Sequence, residues 1–152
     1  MKIRVVGVGN LLLGDEGVGV HAAHVLEAET WPSEVDIIDG GTSGLSLLDL
    51  LENVAKVIFI DAADMKLPPG TWRRFRPEEV RNFYKRREMS LHDTGLLEVL
   101  SLAHRMKTWP EEVVIYGIQP GSVERTLELS AACRTALADV LTKVREEICQ
   151  SL

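Results

Sequence analysis

Apolar residues fall into two kinds of pattern along the chain. Ile3 to Val8, Val35 to Ile38, Val57 to Ile60 and Val113 to Ile118 are short, nearly continuous runs, each closing on a glycine or a polar turn. Such runs predict strands covered on both faces, as in a mainly parallel sheet. Between them the apolar positions recur at helical spacing. Asp15 to Glu29 carries Val18, Ala22, Val25 and Leu26, with Pro32 as a stop beyond it. Leu45, Leu48 and Leu51 follow a possible Thr42 or Ser43 cap, and Asp93 or Thr94 opens a segment with Leu96, Leu97, Leu100 and Ala103 on one face. The last helix aligns Cys133, Leu137, Val140, Leu141, Val144 and Ile148. From Pro68 to Glu88 the pattern is less regular and predicts a short edge strand near Trp72 to Phe75 and a short helix after Pro77. Strands alternating with helices predict an α/β fold, three α/β/α layers around a mainly parallel twisted sheet, in a single domain over residues 1–152.

Length agrees with one domain: 152 residues fall in the usual range for a single core. A chain of this size buries about two-thirds of its unfolded surface and needs no disulfide or metal to fold. Cys133 and Cys149 belong to one helical pattern and would lie roughly 24 Å apart at about 1.5 Å per residue, too far for a bridge. Free thiols suit a reducing compartment. The opening MKIRVVGVGN is broken by glycines and Asn10 where a signal peptide would need an apolar core, and no run approaches the roughly 18 apolar residues of a membrane span. A soluble, cytoplasmic protein with no membrane partner is therefore expected. Net charge is −6, from 17 Lys and Arg against 23 Asp and Glu, which disfavours a nucleic-acid partner. With no additional strong apolar stripe, a monomer is expected.

Ligands of open α/β sheets gather at the carboxyl ends of the strands. The polar residues predicted there are the turn Asn10 to Glu16, Asp39, Asp61 and Gln119, with His92 just before a helix. Gly7-x-Gly9 suggests a dinucleotide turn, but Leu12 occupies the place of the third glycine, and Asp15 and Glu16 would repel a pyrophosphate. Taken alone, Asp15 and Glu16 are explained by helix capping and dipole compensation. Taken together, Glu16, Asp61 and His92 form a mixed oxygen and nitrogen donor set of the kind that suits Zn²⁺, Ni²⁺ or Mn²⁺. No HExxH helix and no G-x-S-x-G elbow is present. His21, His24 and His104 read as structural, and Thr42, Ser43 and Ser46 as capping or lining residues. Against the acidic average, Arg73, Arg74, Arg76, Arg81, Lys85, Arg86 and Arg87 crowd into a stretch of 15 residues. That run is either a solvated face or, with Trp72, Phe83 and Tyr84 as apolar anchors, a docking patch for an acidic partner.

The turn Gly7-x-Gly9-Asn10-x-Leu12-x-Gly14-Asp15-Glu16-Gly17-x-Gly19 resembles the first motif of the [NiFe]-hydrogenase maturation endopeptidases. Asp39-Gly40-Gly41-Thr42, Asp61, Ser90-Leu91-His92-Asp93 and Gly117-Ile118-Gln119-Pro120 resemble further landmarks of that family in the expected order. The resemblance covers nearly the whole chain. It implies an endopeptidase that removes a short carboxyl-terminal peptide from a hydrogenase large-subunit precursor once nickel is installed. It implies that Glu16, Asp61 and His92 take the metal-contacting places and that Asp39 is needed for cleavage. The nickel would arrive with the precursor, and zinc or cadmium could stand in for it. The stretch Met65 to Glu88 is expected to vary with the substrate. Two other readings remain at this point: a peptidyl-tRNA-hydrolase-like esterase, which shares the strand and the Gly-x-Gly-Asn turn, and a non-catalytic nickel-binding chaperone.

Overall fold

The computed structural model describes residues 1–42, 44–87, 89–90 and 95–152. Among them the elements run β1 (Ile3–Val8), α1 (Val18–Glu27), β2 (Val35–Gly41), β3 (Lys56–Ala62), β4 (Trp72–Phe75), α2 (Pro77–Lys85), α3 (Leu96–Met106), β5 (Glu112–Ile118) and α4 (Ala131–Ser151). Short 3-10 segments occupy Gly14–Gly17 and Gly44–Leu51. The sheet order is β2-β1-β3-β5-β4. β1 pairs in parallel with β2 and β3, β3 pairs in parallel with β5, and β4 lies antiparallel on β5 as the predicted edge strand.

Strand alternation divides the core into two layers. Ile3, Val5, Ile58, Ile60 and Val114 turn to the face covered by α1 and α4. Val6, Val8, Val57, Phe59 and Ile115 turn to the face covered by the Gly44–Leu51 segment, α2 and α3. Helices on both faces explain why the central strands read as apolar runs instead of alternating ones. Phe59 is fully buried, and its truncation to alanine would cost about 3–5 kcal/mol in lost burial and cavity. The predicted face of α4 is borne out: Cys133, Leu137, Val140, Leu141, Val144 and Ile148 are all buried. Ser130 caps this helix, its hydroxyl accepting from the Cys133 amide at 3.3 Å. Burial pushes the Cys133 thiol up to about 11, so it is protonated and inert, while Cys149 is exposed.

Three local expectations change. The first helix begins at Val18 instead of Asp15, with Gly17 at its N-cap and no side-chain cap, so neither Asp15 nor Glu16 caps it. Residues Gly14–Gly17 wind as a 3-10 turn, and the Asp15 side chain is engaged by a distant loop instead of the helix start. The second predicted helix is the 3-10 segment Gly44–Leu51, entered through Gly44 at a left-handed φ of 54°. Leu47 and Leu51 are its buried positions, and Leu45 is 68% exposed. Helix α3 starts after Gly95, also left-handed, and buries Leu96, Val99, Leu100 and Ala103. Its proposed caps, Asp93 and Thr94, lie outside the described residues, as does Ser43. Among the described residues no helix is long and apolar enough to cross a membrane.

Candidate functional site

The carboxyl end of the sheet is built around glycines that permit close backbone approach. Gly9 follows β1 with φ of 143°, and a Cβ there would stand 2.1 Å from the Glu16 carbonyl oxygen. Gly19 lies so close to β1 and β3 that its Cβ would stand 2.1 Å from the Ile60 carbonyl oxygen. These two contacts seat the 3-10 turn carrying Glu16 directly over the end of β1, where it also packs against β3. Glu16 is half-buried, and its carboxylate has no hydrogen bond or ion pair among the described residues.

Asp61 lies within β3, one residue beyond the Ile60–Gly7 pair and level with Gly117 of β5. It is 1% exposed. Alternation places it after Val57 and Phe59, on the face covered by α3. The turn that carries Glu16 thus packs beside β3, the strand that holds Asp61.

Residues outside the donor set hold this end in shape. Asp15, fully buried, accepts from the amides of Gly121, Ser122 and Ser130 and from the Ser130 hydroxyl, at 2.7 to 2.9 Å. Burial pushes its carboxyl up, but the hydrogen bonds from Ser122, Ser130 and Gly121 outweigh this and hold it below the ordinary carboxylate value. The residue beside Glu16 is therefore a staple between the first turn and the loop after β5, a role that local capping logic missed. Gln119 performs a similar task. Its Oε1 accepts from the amides of Met65 at 2.6 Å and Leu67 at 3.3 Å, and its Nε2 donates to Asp64 at 3.2 Å. Asp64 in turn exchanges two backbone hydrogen bonds of 2.8 Å with Ser90. His92 itself lies outside the described residues, but the described flanks on both sides reach this end of the sheet. Ser90 sits on Asp64, and a Cβ at Gly95 would lie 3.3 Å from the Gly44 Cα.

Asp39 is placed differently. It belongs to β2, level with Gly7, and follows Val35 and Ile37 toward the α1 face, opposite to Asp61. There its Oδ2 meets His24 Nε2 of α1 at 2.8 Å, while Oδ1 accepts from the Gly41 amide at 2.9 Å. The structure therefore sets the turn carrying Glu16 beside the strand that holds Asp61, and it turns the Asp39 side chain to the face opposite Asp61. His24, read as structural from sequence, is the partner of Asp39. Their pairing joins a helix to a strand across fifteen residues of sequence, which spacing alone does not reveal. His21, one turn earlier, keeps its Nε2 buried without a partner among the described residues, and burial pushes its pKa down. Among the described residues no group of three or more His, Cys, Asp or Glu is arranged to hold a metal ion.

The cationic run does not act as one patch. Arg74 turns inward to Glu147 and Glu112. Arg86 lies over the Phe83 ring at 5.1 Å, and Arg73 lines a small apolar recess with Phe75 and Phe83. Lys85 and Arg87 line a cavity of about 420 Å³ together with Asp64, Lys66, Met89 and Ser90. A larger cavity of about 650 Å³ lies at the opposite, amino end of the sheet, between Met1, Leu51, Lys107 and Trp109.

The family model described as hydrogenase maturation protease matches residues 20–147. The hydrogenase 2 maturation protease of Escherichia coli is 38% identical over 152 residues, covering 96% of this chain and 92% of that one. The hydrogenase expression/formation protein HupD of Thiocapsa roseopersicina is 42% identical over 120 residues, 78% of this chain. The chain spans 54% of the length of that relative, and no more than 65% of two others at 40% and 41% identity. Among solved structures, the hydrogenase maturating endopeptidase HybD from E. coli superposes with a TM-score of 0.88 at 35% identity, over 99% of this chain and 94% of that one.

Proposed function

We propose a function on the premise that the chain belongs to the hydrogenase maturation protease family. It is an endopeptidase that removes a short carboxyl-terminal peptide from a [NiFe]-hydrogenase large-subunit precursor after nickel has been seated there. The observation that supports this reading is the packing of the Glu16 turn over β1 and beside β3, the strand of Asp61, at the sheet edge where α/β proteins bind ligands.

The nickel belongs to the substrate. Glu16, Asp61 and His92 engage it, since carboxylate and imidazole suit a borderline divalent ion. That contact registers the scissile peptide bond against the cleft. Hydrolysis then needs a water oxygen to bond the carbonyl carbon, the carbon–nitrogen bond to break, and a proton to reach the departing amine. Glu16, half-buried and unpartnered among the described residues, has an oxygen to spare for the water proton. Asp61, buried in the strand end, supplies a fixed donor. Asp39 acts as a positioning residue: it holds the Gly40–Gly41 turn through the Gly41 amide and is itself held by His24. The partner is the precursor, met in the cytoplasm by a monomer.

The test incubates this chain with nickel-loaded and nickel-free large-subunit precursors and measures their masses before and after. Loss of a carboxyl-terminal peptide from the loaded precursor alone is the expected result. Equal cleavage of both overturns nickel recognition. Retention of nickel with an uncut precursor would identify a binder, not a protease.

A further inference from the structure

The cavity of about 420 Å³ beside Ser90 is lined by Lys66, Lys85 and Arg87, with Asp64 as the one acid among its described lining residues. Lys2, Arg4, Lys56, Arg74, Lys143 and Arg145 each pair with an acid elsewhere in the molecule. None of the three cavity cations has an ion pair among the described residues. The single acid is already engaged, because Asp64 Oδ1 accepts from the Lys66 amide at 3.0 Å and from the Gln119 side chain. The cavity at the amino end differs in composition, for its lining holds two cations, Lys2 and Lys107, and two acids, Glu52 and Glu111.

Helix-end electrostatics explains part of this arrangement. Lys85 closes α2 and Arg87 follows it, where a helix favours positive charge. It does not explain Lys66, which arrives from the separate loop after β3 and adopts a left-handed φ of 57° in doing so. Two chain segments thus deliver three exposed cations, without an ion pair among the described residues, to one concavity. Asp64 stands three residues beyond Asp61, a span of roughly 10 Å for extended chain. Lysines are compact point charges, and three dispersed cations match several separate carboxylates better than one planar, bidentate anion.

We propose that this cavity binds an acidic segment of the substrate, with Asp or Glu side chains about three residues from the scissile bond. Its position relative to the cut rests on the protease reading; its affinity for carboxylates does not. Fluorescence anisotropy of a labelled Glu-Gly repeat peptide, measured on the full chain, tests it directly. The Lys66→Gln/Lys85→Gln/Arg87→Gln variant should bind about tenfold more weakly, and wild-type binding should weaken with added salt. A Gln-Gly repeat should not bind, and amidating the peptide's own terminus should change nothing. An Arg105→Gln/Lys107→Gln control should bind as wild type. Unchanged affinity in the triple variant, equal binding of the Gln peptide, or a loss caused by amidation alone overturns the proposal. On a nickel-loaded precursor the triple variant should raise KM and leave kcat unchanged. If wild-type protein leaves every precursor uncut, the protease reading fails while the anisotropy result still decides the site.

Discussion

Two charge clusters, one at each end of the sheet, are built differently. At the amino end, Glu147 is 8% exposed and surrounded by donors. Lys56 Nζ stands 2.9 Å away, Arg74 donates through two nitrogens, and the Tyr116 hydroxyl donates as well. Asp36 is held at 3.0 Å by both Lys2 and Arg4. At the carboxyl end, Glu16, Lys66, Lys85 and Arg87 have no ion pair among the described residues. Solvation supplies the physical reason for the contrast. A charge taken out of water must be answered by the protein, whereas one that water still reaches can stay unanswered at little cost. The Glu147 cluster at the amino end stabilises the fold, as Asp15 does at the carboxyl end, while Glu16 and the three cavity cations there have no ion pair among the described residues.

The largest effect should come from the unanswered carboxylate. Glu16→Gln should reduce precursor processing at least about 100-fold while the melting temperature stays close to wild type. Asp61→Asn and His92→Ala should each do the same to processing. Wild-type cleavage by any one of these variants removes that residue from the site.

The reverse behaviour is expected at the amino end. Glu147→Ala leaves Lys56 and Arg74 with only the longer pairs to Glu112 and should cost about 3 kcal/mol, roughly 10 °C in melting temperature, with kcat/KM of the folded protein unchanged. Lost activity at unchanged stability would break the division between the two ends.

Acid titration sharpens the same contrast. Burial raises the Glu147 carboxyl, but the hydrogen bonds from Arg74, Tyr116 and Lys56 prevail and hold it at about 2, below its ordinary 4.5. The folded value is the depressed one, so its contribution is complete above about 4.5 and disappears as pH falls through about 2. Its size is about 3 kcal/mol at 1.36 kcal/mol per pKa unit. Denaturant midpoints followed from pH 5 to pH 2.5 should fall more steeply for wild type than for Glu147→Gln.

Asp15→Asn should cost about 1.5–3 kcal/mol, since it weakens charge-assisted bonds to three amides and a hydroxyl. Hydrogen exchange at Gly121, Ser122 and Ser130 should quicken, and processing should slow less than in Glu16→Gln. Unchanged exchange at those amides would remove the staple. The smallest effect belongs to Lys143→Ala. Its 3.4 Å pair with Glu146 is more than half exposed, so the melting temperature should stay within about 2 °C.

Much of this arrangement was legible along the chain. The runs at Ile3, Val57 and Val113 led to the three adjacent parallel strands β1, β3 and β5, and the six-residue apolar face of α4 was read without error. The rule that ligands gather at strand ends also pointed to Asp61, which lies at the carboxyl end of β3. The cationic run was the harder case. Its members look alike in sequence, but strand alternation sends Arg73 and Arg74 to opposite faces, and only Arg74 reaches Glu147. Lys66, outside that run, completes the cavity with Lys85 and Arg87.

The sequence by itself determined the succession of elements, the layered parallel sheet and the residues that reach its carboxyl edge. These follow from periodicities of about two and 3.6 residues, which are local properties of the chain. Only the tertiary structure decided partners and faces. It joined Asp15 to a loop more than a hundred residues away, Arg74 to Glu147, His24 to Asp39 and Lys66 to the end of α2. It also set Asp39 and Asp61 on opposite sides of the sheet. Whether a charge is answered depends on which neighbours folding brings within about 4 Å, and that distance is not written in sequence separation.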